Sequence, residues 1–153
     1  MLSPHPRSTA RIGRHPIHPM LVPFPIVFFV SAFVTDLLFV SGYGSVWASA
    51  SYWLLIAGLI GAALAAVAGL VDFLGEARIR RLGAAKAHLA GNVTAVVLQA
   101  INAYMRSGDP TLAVAGSGII LSGVVVVILL ITGWLGGELV FRHGVGVDRV
   151  PDA

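Results

Sequence analysis

The sequence predicts an all-α integral membrane protein: a four-transmembrane-helix bundle with the N and C termini cytoplasmic. Three observations carry that prediction. The 153 residues have a mean hydropathy of +0.88 and only 11% charged side chains, against roughly 25% in soluble domains. The apolar residues fall into four long runs, about 21–40, 51–74, 86–106 and 110–140. With those runs as spans, Arg7, Arg11, Arg14, Arg78, Arg80, Arg81, Lys86, Arg142 and Arg149 share one side, and Arg106 alone lies on the other. Basic residues collect on the cytoplasmic face, which sets the orientation. The whole chain, 1–153, reads as a single membrane domain with polar tails at 1–19 and 141–153.

The first run opens after a polar segment that ends in His15-Pro16-Ile17-His18-Pro19. Each of these histidines precedes a proline, which disfavours helix, so the segment is expected to be extended. In a three-residue polyproline turn His15 and His18 would share a face, about 9 Å apart. Pro23 and Pro25 fit only the first turn of the span, where missing N–H groups cost little. The basic start and Ala48-Ser49-Ala50 sketch a signal peptide. The apolar run is longer than the usual 7–15 residues, and the prolines and Asp36 fit poorly, so a retained span is expected.

A short uncharged loop, 41–50, leads to the second span. There Gly61, Ala65 and Gly69 form a small-residue ridge at steps of four, suited to close helix packing. Tyr52 and Trp53 suit the aromatic belt. The charged connector 75–85 reads as a cytoplasmic loop.

The third span carries His88, Asn92, Gln99 and Asn102 at steps that keep one helix face. Such a stripe is costly against lipid, so it is expected to face other helices. Asp109 and Pro110 then read as cap and first residue of the last helix. That helix, at about 30 residues or 45 Å, is expected to tilt or to project at its Gly136-Gly137 end.

The pI near 10.0 raises nucleic acid as a partner. The basic residues flank apolar runs instead, and no nucleic-acid motif accompanies them, so no nucleic-acid partner is expected. The absence of cysteine excludes disulfides, Cys-bound zinc, iron–sulfur clusters and covalently attached haem. It leaves imidazole, carboxylate and Met as ligands. The topology puts His15, His18, Asp72, His88, Glu138 and His143 at one cytoplasmic edge, an expected His/carboxylate cluster. Haem b would take His88 with His18, His15 or His143, with Asn92 one turn on; a metal ion would take the wider set. On the bland reading the histidines are hydrogen-bonded bundle or headgroup residues, and Asp72 and Glu138 pair with Arg78, Lys86 or Arg142. Asp36 lies at a depth similar to Arg106. A structural ion pair is the main expectation there; a proton or ion path through Asp36, Gln99 and Asn102 is the sharper one. His18 with Asp72, and His88 with Glu138, bracket the two helix pairs at similar spacings, a faint parallel repeat.

The run His15-Pro16-Ile17-His18-Pro19-Met20-Leu21-Val22-Pro23-Phe24-Pro25 resembles the opening of a bacterial membrane family of unknown function. The closing Gly133-Trp134-Leu135-Gly136-Gly137-Glu138-Leu139-Val140, with Arg142-His143-Gly144-Val145-Gly146-Val147, resembles its end, and the likeness runs from about 15 to 147. Asp36, Asp72 and His88 also fall where that family's pattern expects them. The resemblance implies four helices, a bacterial inner-membrane location and, from relatives joined to Rieske-type or cytochrome domains, a redox neighbourhood. It implies no reaction. Three function classes follow: a haem- or metal-binding redox module, a structural or assembly subunit of a membrane redox complex, and a small proton or ion transporter in a homo-oligomer. No nucleophile–base pair, phosphate loop or metalloprotease motif supports an enzyme.

Overall fold

The computed structural model describes residues 5–147, so Arg149 and Pro151 of the expected soluble tail lie outside the described residues. A β-hairpin, β1 (Arg11–Ile12) and β2 (His15–Pro16), is followed by α1 (Ile17–Leu21) and α2 (Pro23–Val40). Then come α3 (Val46–Gly75), α4 (Ala77–Arg81), α5 (Gly83–Arg106), α6 (Pro110–Ala113), a π-helical turn (Val114–Gly118) and α7 (Ile119–Phe141). Among the described residues three stretches, Ile17–Val40, Val46–Gly75 and Pro110–Phe141, are long and apolar enough to cross a membrane.

The expected extended run through His18 is corrected here. Only His15 and Pro16 are in a strand, paired antiparallel with Arg11 and Ile12. His18 and Pro19 sit in the first turn of α1, where proline's missing N–H has no helical acceptor to lose. His15 and His18 therefore do not share a polyproline face. Gly13, at φ +60°, makes the reversal between the strands. Pro23 and Pro25 stand in the first turn of α2, as their missing donors require. The second long helix begins at Val46, ahead of the expected start at about residue 51, so part of the expected 41–50 loop is helical. The basic connector holds the short helix α4. The last run is not one regular helix: Gly116, at φ −88° and ψ −122°, interrupts it within the π turn. Asp109 does cap its start, accepting from the N–H groups of Thr111 at 2.9 Å and Leu112 at 3.4 Å.

The long helices pair antiparallel. His18 ahead of α2 meets Ala65 late in α3, whereas Asp36 near the end of α2 meets Ser51 early in α3. The second pair repeats this: His88 early in α5 meets Thr132 late in α7, and Arg106 at the end of α5 meets Ser122 early in α7. Phe29, Ala32, Leu55, Ala62, Ala95, Ala103 and Val125 form the core between the pairs. Small residues let the backbones close. A Cβ at Gly58 would lie 2.4 Å from the Phe29 ring, and one at Gly61 3.3 Å from Pro25. The outward positions are aliphatic on every long helix: Val27 and Val34, Ile60 and Val67, Val93 and Val97, Val124 and Val127. Such a surface matches lipid and not water.

The two pairs also share a register of burial. Residues 21–30 and residues 91–100 pass through half-buried, exposed and buried positions in the same order throughout. Pro25, Phe29, Ala32 and Asp36 are buried on α2; Ala95, Gln99, Asn102 and Arg106, each seventy residues on, are buried on α5.

Candidate functional site

At one end of the bundle two imidazoles lie edge-on to each other. The His18 and His88 ring centroids are 6.3 Å apart, with planes crossed at 85°. Each ring is held in the same way. His18 Nδ1 lies 2.8 Å from the Ala65 carbonyl oxygen, and His88 Nδ1 lies 2.8 Å from that of Thr132. A carbonyl only accepts, so each Nδ1 carries the proton and donates it. In the neutral form of either ring, Nε2 is then the acceptor nitrogen. Glycine seats both rings. A Cβ at Gly69 would lie 2.9 Å from His18 Nδ1, and one at Gly136 would lie 3.3 Å from His88 Cε1. The ridge residue Gly69 is therefore a notch for an imidazole, one turn beyond the carbonyl that orients it.

Asn92 braces this arrangement without turning toward the rings. Its Nδ2 donates to the His88 carbonyl at 2.8 Å, and its Oδ1 accepts from Thr132 Oγ1 at 3.5 Å. It thereby links α5 to the residue whose carbonyl holds the His88 ring.

The wider cluster expected at this end does not assemble. Among the described residues no group of three or more His, Cys, Asp or Glu side chains is placed to hold a metal ion. Asp72 is spent on the N-terminal segment. Its Oδ1 accepts from the N–H groups of Thr9 at 2.6 Å and Ala10 at 2.7 Å, and Ser8 Oγ donates to Oδ1 at 2.9 Å and to Oδ2 at 3.0 Å. Glu138 takes Arg142 at 3.0 Å, one turn on, and stands 4.0 Å from His143 Nε2. His15 is exposed on β2. Each carboxylate thus satisfied a nearer donor, which a count of depths cannot foresee. Outside the helices Glu76 accepts from the Arg78 side chain and N–H. Those bonds hold its carboxyl well below the usual value, at about 2.

At the other end Asp36 and Arg106 form an ion pair with both side chains fully buried. Arg106 is bidentate, Nη1 to Asp36 Oδ1 at 2.7 Å and Nη2 to Oδ2 at 2.9 Å. Four neighbours complete the set. Ser51 Oγ donates to Asp36 Oδ1 at 2.5 Å and also meets Arg106 Nη1. Arg106 Nη2 donates to Ser122 Oγ at 3.0 Å, and Nε donates to Asn102 Oδ1 at 2.9 Å. Asn102 Nδ2 then donates to Gln99 Oε1, the Gly118 carbonyl and Ser122 Oγ, at 3.0–3.1 Å. Because Arg106 only donates, it fixes the sense of this chain, and Gln99 Nε2 is left buried with no acceptor. Sequence reasoning anticipated the Asp36–Arg106 pair. It missed Ser51 and Ser122, whose signal is a lone hydroxyl inside an apolar run.

The stripe of α5 therefore serves two separate networks. Gln99 and Asn102 belong to the arginine end, His88 and Asn92 to the histidine end. Between them lie Ala95, Phe29 and Val125, all buried and apolar. No hydrogen bond among the described residues joins Gln99 to Asn92.

In comparison with known proteins the chain matches a family model described as predicted membrane protein (DUF2231), over residues 14–149. Neither the curated proteins nor the solved structures returned a match. That match covers nearly all of the chain, including both imidazoles and the buried ion pair, so this mostly helical protein, in contact with lipid, belongs to the DUF2231 family of membrane proteins, a domain of unknown function.

Proposed function

We propose that the chain is a small membrane redox module that binds b-type haem between His18 and His88. The observation that carries this reading is the paired geometry of the two rings. His18 and His88 would hold the haem iron through their ring nitrogens, with metal–nitrogen bonds of about 2.0–2.1 Å, which requires the two rings to stand close together. The rings here stand at 6.3 Å. Both rings have Nδ1 committed to a carbonyl, which leaves Nε2 as the ligating atom and raises its basicity. The donor set thus fits haem better than a non-haem metal, for which two imidazoles alone are a thin shell. Bound haem would supply one-electron chemistry. The chain's own part would be to hold two imidazoles side by side, commit each Nδ1 to a carbonyl and surround them with apolar helices.

The reading includes four spans. α5 is less apolar than the others, yet its Gln99, Asn102 and Arg106 are buried and its outward face is Val93, Val97 and Ile101. Its 24 residues reach about 36 Å, enough to cross. Four spans put both termini on one side, with the basic residues of the connector, in a bacterial inner membrane with the termini cytoplasmic. A redox partner in the membrane is the expected associate.

Absorbance of purified protein tests the proposal. A Soret band with a b-type pyridine haemochrome is expected, lost in both His18→Ala and His88→Ala and retained in His15→Ala and His143→Ala. Iron-free, colourless protein from haem-replete cells would overturn it.

A further inference from the structure

We infer that the chain is two copies of one helix-pair unit related by a pseudo-two-fold axis, and that Asp36 and Arg106 form the asymmetric lock that holds the copies in register. Three independent features obey one relation. On the first helix of each unit, His18 corresponds to His88, Phe29 to Gln99, Ala32 to Asn102 and Asp36 to Arg106, all seventy residues apart. On the second helix the shift is sixty-seven, so Ala65 corresponds to Thr132 and Gly69 to Gly136. The ring-holding carbonyls and the ring-seating glycines are therefore equivalent pairs. The burial pattern follows the same two shifts: Ser51, Leu55 and Gly58 are buried on α3, as are Gly118, Ser122 and Val125 on the later helix. The carboxylates are not part of the relation, since Asp72 corresponds to Leu139 and not to Glu138.

At a two-fold axis a residue meets its own copy. His18 meets His88 and Asp36 meets Arg106, so the axis runs through both ends of the bundle. The ends use it in opposite ways. Two like imidazoles suit a ligand that takes the same donor on each face. Two like charges would repel in a low dielectric, on top of the desolvation cost that each carries. The copies have diverged to opposite signs at that position alone among their paired buried residues on α2 and α5. An Asp facing an Arg cannot be satisfied by pairing either unit with itself, which makes the pair a specificity device. Its effect at the far end is to oppose His18 to His88. That last clause rests on the haem reading; the duplication and the lock do not.

The absence of native cysteine gives a clean background for the test. Phe33 lies against Gly123, 3.2 Å from the position of a Cβ there. The equivalent pair under the two shifts is Ala103 and Ile56. Phe33→Cys/Gly123→Cys and Ile56→Cys/Ala103→Cys are expected to join within one chain to the same extent, within threefold, with a short thiol-reactive linker in membranes. Joining of the first pair alone would overturn the duplication. For the lock, Asp36→Arg and Arg106→Asp are each expected to lower the yield of folded protein at least tenfold. The exchanged variant Asp36→Arg/Arg106→Asp is expected to recover at least a third of the wild-type yield. Single variants that fold normally, or an exchange no better than its singles, would overturn the lock. A Soret band recovered with the exchange supports the positioning clause. Recovery of folded protein without the band, where wild type has it, would overturn that clause alone. Colourless wild type would end the haem reading and leave the other two readouts intact.

Discussion

The histidine end and the arginine end of the bundle are built on the same helices, yet they solve opposite problems. At the arginine end every charge is consumed inside the protein: a bidentate ion pair, two serines and an asparagine close on one another. At the histidine end each imidazole spends one nitrogen on a carbonyl and keeps the other. One end is a closed electrostatic joint; the other holds two adjacent imidazoles that each spend one ring nitrogen on a carbonyl. A buried polar cluster in a membrane protein is therefore not by itself a sign of a site. What separates the two cases is whether the charged groups find their full set of partners inside the protein, as Asp36 and Arg106 do even though Gln99 Nε2 beside them does not.

The largest test of that contrast removes one charge. Asp36→Ala leaves Arg106 buried without a counter-charge. Loss of about 3–5 kcal/mol is expected, read as a collapse of the folded fraction in a denaturing-detergent titration. His88→Ala should do far less to the same curve, since it leaves no charge behind, while abolishing bound ligand. If His88→Ala were the more destabilising change, the division of labour would be reversed.

Next in size is the glycine seat. Gly69→Val must displace the His18 ring, because a Cβ already comes within 2.9 Å of Nδ1. Overpacking of about 1–3 kcal/mol is expected, with ligand lost in the same variant. Gly133→Ala is the control, since a Cβ there meets nothing within 4 Å. Equal effects from the two would show that the seat is not one.

Gln99→Met sharpens the account of the closed end. It removes a buried donor that has no acceptor, whose burial costs about 1–3 kcal/mol. It also removes one acceptor from Asn102, which keeps the Gly118 carbonyl and Ser122 Oγ. Stability within about 1 kcal/mol of wild type is expected. A large loss would mean that Gln99 Nε2 holds a partner such as an internal water.

The smallest effect lies outside the spans. The Glu76 carboxyl is held at about 2, against 4.5 in the free group. A depressed folded value contributes stability above the unfolded one and loses it as pH falls through the folded one. Glu76→Gln should thus matter above about pH 4.5 and vanish toward pH 2. The Arg78 side chain is partly exposed, so solvent screening keeps the effect the smallest of the set. An effect on ligand binding would tie this loop to the histidine end and blur the contrast.

Some of this could be read before any coordinates. Composition and apolar runs identified a membrane protein, because lipid tolerates little else over such lengths. The prolines of α2 and the Asp109 cap were legible because their constraints are local. The inward face of α5 was legible from its period, since polar groups have no alternative partner in lipid. His18 and His88 were named among six candidates, and sequence could not choose between them.

Only the tertiary structure brings those two rings together. Two residues seventy apart meet because two helix pairs fold onto one axis, and no local rule encodes an axis. The fates of Asp72 and Glu138 were decided likewise, by backbone N–H groups and an arginine that happened to lie nearer. Composition and periodicity constrain what each residue can tolerate around it; the packing of four helices determines which neighbour supplies it.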